Sequence, residues 1–532
     1  MNGTRPTIAS LHGIVAAAHP LAAAAGARLL AQGGNAFDAA VAVAAALGVV
    51  EPFMSGLAGS GMATVYSAAE GRVRCLQFRG GVPLGFPAGR FSRREEMYRG
   101  AMATTAPANL AGWCEMLRQY GTRGLVEVLA PAIALARDGF PLIDFNVAGC
   151  NMSAKDLAKY PFFGEWSRVY AGGGDRVAAG QVLRQPDLAG TFAAIAAEGP
   201  GLLYGGALGE AVVAHVAALG GCLSMEDILA VKARWAEPVT AAYRDLVVHV
   251  PPPPCSAFQF LLGLRILDGF DLARLPRDGV EHLDLVWRAV RLAAGVRVHA
   301  GNPSPERLAE LLTEPAIAAL RARAADGAPV EGPTEQWIAP PEGKVAGQHT
   351  TSLSVADRAG NVVCLTQSLG ALFGCGVVVP GTGVCLNNGL YWGELDQRGP
   401  NALVPGGALT TSVSPSIALR GAWPVLVLGT PGSYGITQTQ TQALVQHVDY
   451  RLPIQAAIEA PRARLWDGRR VQAESRIAPA VLAGLAARGH AVEAPLPWTM
   501  AAGGMQGIAI DPASGVLTGG ADPRREGYVV AA

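Results

Sequence analysis

The sequence predicts an α+β protein, and three stretches carry that prediction. Two β-rich runs, 350–355 and 362–368, flank the turn Asp357-Arg358-Ala359-Gly360-Asn361, whose glycine and asparagine suit a chain reversal. Two alanine-rich helical patterns, 20–32 and 37–48, are apolar around much of their circumference, as helices buried against a sheet are. Further strand patterns at 62–67, 72–78, 239–242 and 246–250 supply material for such sheets.

Taken in order, a strand beginning near Gly13 leads into the first helix, and Gly33-Gly34-Asn35 stops it. The glycine loop Glu51-Pro52-Phe53-Met54-Ser55-Gly56-Leu57-Ala58-Gly59-Ser60-Gly61 feeds two strands joined at Ala69-Glu70-Gly71. With no Gly-Lys-Ser/Thr and no helix after it, that loop is not a nucleotide cradle. Helices are expected at 108–120, 125–136, 186–196 and 209–218, and Ser224-Met225-Glu226-Asp227 is a capping box opening another. The proline run Pro251-Pro252-Pro253-Pro254-Cys255-Ser256-Ala257 follows the strands at 239–250, and helical periodicity returns at 257–267, 280–300 and 305–325. From 326 to 349 the chain is rich in Gly and Pro and loses periodicity, the pattern of an exposed connection.

The turn sets a register for the hairpin. If it is symmetric about Ala359, Thr350 stands opposite Ser368, with Cβ atoms roughly 4.5–5.5 Å apart. Period-two alternation keeps Thr366 on the same face. An ordinary Ser/Thr-rich strand pair would read the same way.

Bulk properties narrow the function. The 532 residues are 50% hydrophobic and 16% charged, and the formal net charge is zero. A well-buried globular protein is expected, with neither nucleic acid nor an anionic membrane surface as partner. A small molecule is the better default. The N-terminus has no clean apolar run of a signal peptide, and the apolar stretch 39–50 is shorter than the roughly twenty residues a bilayer needs. The expectation is a soluble, cytoplasmic protein. Eight cysteines and nine histidines are scattered without metal-ligand spacing, so no metal and no cofactor are expected.

The stretch Thr350-Thr351-Ser352-Leu353-Ser354-Val355-Ala356-Asp357-Arg358-Ala359-Gly360-Asn361 resembles the processing site of the γ-glutamyltranspeptidase (glutathione hydrolase) family. The family pattern is Thr-Thr-His followed by Ser-Val-x-Asp-x-x-Gly-Asn, and Ser352 stands in place of the histidine. The resemblance implies that the precursor cuts itself between His349 and Thr350. Thr350 then acts as nucleophile, and its freed α-amino group, with an ordinary pKa near 7.7–8.0, acts as the base. It also implies an N-terminal-nucleophile (Ntn) hydrolase fold, a four-layer αββα sandwich with two stacked, mainly antiparallel sheets. A large segment, 1–349, and a small one, 350–532, would interleave in one domain and stay together as two self-derived fragments.

Other motifs agree. Phe78-Arg79-Gly80-Gly81-Val82-Pro83 resembles the family's Phe-Arg-Glu-x-Ala-Pro, in which the arginine grips the substrate carboxylate through its forked guanidinium. Leu409-Thr410-Thr411-Ser412-Val413-Ser414-Pro415 resembles Leu-Ser-Ser-Met-Ser-Pro, which puts Thr411 and Ser412 in the places of two hydroxyls assisting that arginine. Gly429-Thr430-Pro431-Gly432-Ser433 resembles Gly-Ser-Pro-Gly-Gly, whose backbone N–H groups form an oxyanion hole, so Gly432 and Ser433 are implied there. Gly33 to Ala42, Phe373-Gly374-Cys375-Gly376, Leu386-Asn387-Asn388 and Ala521 to Gly527 match the family as well.

The chain departs from the family where the glutamyl α-ammonium is held. The expected Asn, Gln and acidic residue are replaced by Gly370, Gly389 and Trp392, none of which can accept a hydrogen bond from an ammonium through its side chain. Glu394 or Asp396 would have to substitute. The connection from 392 to 409 is also short, which suggests an open site. The family-typical function is hydrolysis or transfer of γ-glutamyl amides such as glutathione, with water or an amine as acceptor. The alternatives are an acylase for glutaryl-like amides that carry a carboxylate but no α-amine, and a non-catalytic binding homologue.

Overall fold

The computed structural model describes residues 5–334 and 349–532. Two seven-stranded sheets form its centre. In the first, the strands run Tyr528–Ala531, Gly13–Ala17, Thr351–Asp357, Val362–Ser368, Ser60–Ser67, Arg72–Phe78 and Arg234–Ala236. In the second they run Ile8–Ser10, Leu517–Ala521, Gln506–Ile510, Trp423–Gly429, Ser416–Arg420, Leu246–Val250 and Val239–Tyr243. Every pairing within both is antiparallel.

Alternation along the strands decides the layers. Ile14, Ala16, Ala356, Val362 and Cys364 leave one face of the first sheet and meet Ile417, Val427, Ile508 and Leu517 of the second. Val15, Ala17, Leu353, Val355, Val363 and Leu365 leave the other face and pack under the helices Pro20–Ala31 and Ala36–Val50. On the outer face of the second sheet, Val248, Leu426 and Leu428 pack with the helices Phe258–Leu267 and Val280–Ala300. The chain is therefore a four-layer αββα sandwich, the architecture the resemblance implied. Residues before and after 350 contribute strands to both sheets.

The hairpin forms in the register that symmetry about Ala359 predicts. Thr351 pairs with Gln367 and Ala356 with Val362, so the next step outward sets Thr350 across from Ser368. Asp357 builds the turn by accepting hydrogen bonds from the N–H groups of Ala359 and Asn361 at 2.9 and 3.0 Å. Its other oxygen accepts from Ala36 N at 2.9 Å, which fastens the turn to the start of a buried helix.

Two expectations change. The helix expected over 305–325 is two, Pro305–Leu311 and Glu314–Ala325. Thr313 is the N-cap of the second and Pro315 lies in its first turn, where a missing N–H costs nothing, whereas inside one long helix it would break the ladder. The exposed connection expected over 326–349 falls mostly outside the described residues; within them, 326–329 are exposed. Among the described residues one run, Pro200–Ala218, is long and apolar enough to cross a membrane by composition. It is divided between a 3-10 turn and the helix Ala207–Ala218, which buries Leu208, Val212 and Val216.

Candidate active site

Thr350 immediately precedes the strand Thr351–Asp357 in the interior of the first sheet, is 2% exposed, and by alternation faces the second sheet, as Ser352 does. Its Oγ1 lies 3.4 Å from Ser368 Oγ and in hydrogen-bond contact with the carbonyl oxygen of His349. Ser368 Oγ donates to that same carbonyl oxygen at 3.1 Å and accepts from Gly370 N at 2.9 Å. A relay therefore runs from the Gly370 amide through the Ser368 hydroxyl to the carbonyl that Thr350 Oγ1 adjoins. The hydroxyl stands beside the amide it would attack, and a donor already points at the oxygen where charge would develop.

His349 is 4% exposed and neither ring nitrogen has a hydrogen-bond partner among the described residues. Burial, with the Arg525 and Arg99 guanidiniums nearby, drives its pKa down to about 3, so the ring is neutral. An imidazole without a partner is a poor structural anchor for this end of the strand.

The strand Trp423–Gly429 of the second sheet delivers the next piece. A Cβ built on Gly429 would sit 3.5 Å from Ser352 Cβ, so the loop Thr430-Pro431-Gly432-Ser433 leaves this strand close to the Thr350 end of its neighbour. Gly432 has φ +137 and Ser433 φ +54. A serine in the left-handed region occupies a conformation usually reserved for glycine, at a cost of about 1 kcal/mol or more. Its Cβ thus does not prevent the glycine-like backbone. The carbonyl oxygens of both residues are engaged: Gly432 O accepts from Arg464 Nη1 at 2.7 Å, and Ser433 O from Ile436 N at 3.0 Å. Neither N–H finds an acceptor among the described residues, although both residues are buried. Two such amides side by side are rare away from a site that uses them.

Arg79 directly follows the strand Arg72–Phe78. Its guanidinium donates to the carbonyl oxygen of Pro254 and has no carboxylate partner among the described residues. Desolvation pulls its pKa down to about 10, which leaves it cationic at neutral pH. The loop it touches continues to Ser256, whose N–H donates to Thr411 O at 2.7 Å, and Cys255 forms a parallel bridge with Thr411. Three chain segments far apart in sequence are brought together here, and the hydroxyls of Thr411 and Ser412 have no protein partner among the described residues. Asn401 steadies the same region: it accepts from Thr410 N at 2.7 Å and donates to Trp392 O at 2.6 Å.

The positions that would hold an ammonium are filled differently. Gly370 has φ +98, and a Cβ there would overlap Asn388 Oδ1, itself held by Ala371 N at 2.7 Å. A Cβ on Gly389 would overlap Thr105 Oγ1, which is bonded to Asn387 Oδ1 at 3.0 Å. Trp392 stands edge-on to Tyr434, ring centroids 5.7 Å apart. Of the two possible substitutes, Asp396 pairs with Arg398 at 3.0 Å, and Glu394 turns into its own loop to accept from Asn401 N at 3.4 Å. Sequence reasoning missed Gly370 N, Arg464, Asn401 and Glu51, because each acts through a contact that no local pattern announces.

Comparison with known proteins bears on the family and the fold. The family model described as Gamma-glutamyltranspeptidase matches residues 22–532. The chain is 36% identical over 542 residues to the Acylase ACY 1 proenzyme of Pseudomonas sp. (strain SE83), covering 98% of this chain and 93% of that protein. It is 31% identical over 552 residues to the Glutathione hydrolase proenzyme of Bacillus subtilis (strain 168), covering 97% and 91%. The crystal structure of cephalosporin acylase from Bacillus halodurans superposes with a TM-score of 0.91 at 28% identity, covering 100% of this chain and 98% of that one.

Proposed function

Since the chain belongs to the γ-glutamyltranspeptidase family of Ntn hydrolases, we propose that it is a self-cleaving amide hydrolase or acyltransferase with Thr350 as nucleophile, whose acyl donors carry a carboxylate but no α-amine. The observation that carries the donor reading is the closure of the ammonium positions. Gly370 and Gly389 have no room for a side chain, and Trp392 puts an indole where a charge would be needed. A hydrogen bond to a charged group contributes about 1.5–3 kcal/mol, so losing several weakens ammonium binding by orders of magnitude. Arg79, Thr411 and Ser412 are the proposed carboxylate clamp, supported by the Pro254–Ser256 loop that contacts both Arg79 and Thr411. The relative named as an acylase and the cephalosporin acylase structure support the same reading.

In the precursor, Thr350 Oγ attacks the carbonyl carbon of His349 while Ser368 steadies the carbonyl oxygen. The C–N bond breaks, the nitrogen takes up a proton, and an ester links His349 to Thr350 Oγ. Water cleaves that ester to leave fragments 1–349 and 350–532, held together by their shared sheets. In the mature enzyme the Thr350 amine accepts the Oγ proton, Oγ attacks the donor amide, and the N–H groups of Gly432 and Ser433 receive the oxyanion. The proton passes to the leaving amine, and water or a second amine resolves the acyl-enzyme. The proenzyme relatives support this two-fragment scheme.

Rates on glutaryl-p-nitroanilide and γ-glutamyl-p-nitroanilide test the donor reading. The glutaryl compound is expected to react with the higher kcat/KM; a strong preference for the amino-bearing donor rejects it. Intact mass tests the cleavage: two fragments, the smaller beginning at Thr350, are expected from wild type, and one chain of 54.8 kDa from Thr350→Ala. The second reading, a γ-glutamyl or glutathione donor, draws support from the glutathione hydrolase relative.

A further inference from the structure

Of the buried carboxyls outside that scheme, Glu51 lies nearest in the chain of contacts to the scissile bond. Glu51 caps the C-terminal end of the helix Ala36–Val50, is 1% exposed, and accepts a 2.7 Å hydrogen bond from Thr351 Oγ1. Thr351 is the residue after the candidate nucleophile. Its side chain leaves the strand toward the helical layer, as Leu353 does, whereas Thr350 and Ser352 face the second sheet. Glu51 is therefore across the backbone from the Thr350 hydroxyl and cannot be its base. It is nevertheless fixed one residue away from the amine that cleavage would create.

Among the described residues, few charged and hydroxyl groups face Glu51. The nucleophile strand contributes Thr351, and the C-terminal turn contributes Arg525 and Glu526. The helix Asp144–Leu157 touches this corner through Asn146, which donates to Val50 O at 2.7 Å and does not titrate. Arg525 is buried, donates to Met500 O at 3.0 Å, and offsets the Glu51 charge.

A buried amine without a nearby anion is a weak base, because burial disfavours its charged form. We infer that Glu51 is a positioning residue that sets the basicity of the Thr350 amine, its carboxylate being fixed by the Thr351 hydroxyl one residue from that amine. The inference rests on the proposed cleavage at His349–Thr350. Burial lifts the Glu51 pKa to about 7, with the Thr351 hydrogen bond and Arg525 pulling the other way and Glu526 adding to the rise. Glu51 thus becomes ionised over the range in which the amine loses its proton. The carboxylate favours the ammonium that forms when the amine accepts the Thr350 Oγ proton, so the amine is a stronger base with Glu51 than without it.

The test is the pH dependence of kcat/KM on a chromogenic anilide for wild type, Glu51→Gln and Thr351→Val, each first checked by intact mass. An uncut wild type overturns the cleavage reading and, with it, this inference; a cut wild type leaves the pH profile to decide the inference alone. With cleavage established, Glu51→Gln is expected to move the acid limb to lower pH by about one unit and to lower the plateau. Thr351→Val, which leaves Glu51 protonated to higher pH, is expected to move it the same way by less. A purely structural lesion lowers rates without moving the limb, so cut Glu51→Gln enzyme with an unshifted limb overturns the inference. If Glu51→Gln does not yield folded, cut protein, an unshifted limb in Thr351→Val overturns it instead.

Discussion

Ser368→Ala isolates the hydroxyl relay at the scissile bond. Ser368 Oγ donates to the His349 carbonyl oxygen at 3.1 Å and accepts from Gly370 N at 2.9 Å, so alanine removes the donor and leaves the Gly370 amide without an acceptor. The carbonyl oxygen acquires negative charge as Thr350 attacks, and a hydrogen bond to a charged group is worth about 1.5–3 kcal/mol. That converts to self-cleavage about 10- to 150-fold slower. Ser368→Thr keeps a hydroxyl on the same Cβ and is expected to cleave at a rate within a few-fold of wild type. The assay is intact mass against time for precursor made in a cell-free reaction, with circular dichroism confirming the fold. An alanine variant that cleaves as fast as wild type refutes the relay.

Three further outcomes follow from the geometry. Arg79→Lys replaces a fork by a point charge, so KM for a carboxylate-bearing anilide is expected to rise at least about tenfold while kcat on an uncarboxylated amide is unchanged; equal losses on both donors reject the clamp. Gly370→Asn, which returns the family residue, is expected to destabilise by about 1–3 kcal/mol through overlap with the pinned Asn388, and to gain no γ-glutamyl turnover. Thermal unfolding and the paired anilide rates check both halves. Glu51 has a folded pKa raised from 4.5 to about 7, so its contribution to stability is full below pH 4.5 and is lost as pH rises through 7. Relative to Glu51→Gln, both in the uncut Thr350→Ala background, the wild-type carboxyl should lose about 3 kcal/mol between pH 4.5 and 7.5, read from urea unfolding. A pH-independent difference contradicts it.

The helix Gly435–Val448 shows why some of the fold was illegible in advance. Thr437 to Gln442 are all buried, yet every one is polar, so no apolar stripe marks the helix. Threonine hydroxyls bond back to their own helix, but the glutamine amides reach outside it: Gln438 donates to Leu465 O at 3.1 Å and Gln442 to Ala463 O at 2.8 Å. Those acceptors belong to a strand that only the folded chain sets beside the helix. The split at Thr313 was legible in principle, since Pro315 forbids one continuous ladder.

By itself the amino-acid order determined what lies within a few residues. The period-two pattern and the Asp357–Asn361 turn set the register that puts Thr350 opposite Ser368, because a hairpin closes on itself and needs nothing distant to align it. The motif likeness also pointed to Thr350, Arg79, Thr411, Ser412, Gly432 and Ser433. Only the tertiary structure decided whether these meet and what surrounds them. Arg79 reaches Thr411 through the Pro254–Ser256 loop, Ser433 takes a left-handed backbone, Gly370 has no space for a side chain, and Glu51 is bound to Thr351 from another layer. Each depends on how two sheets and their helices stack, which is set by burial summed over the whole chain and by no single stretch of it.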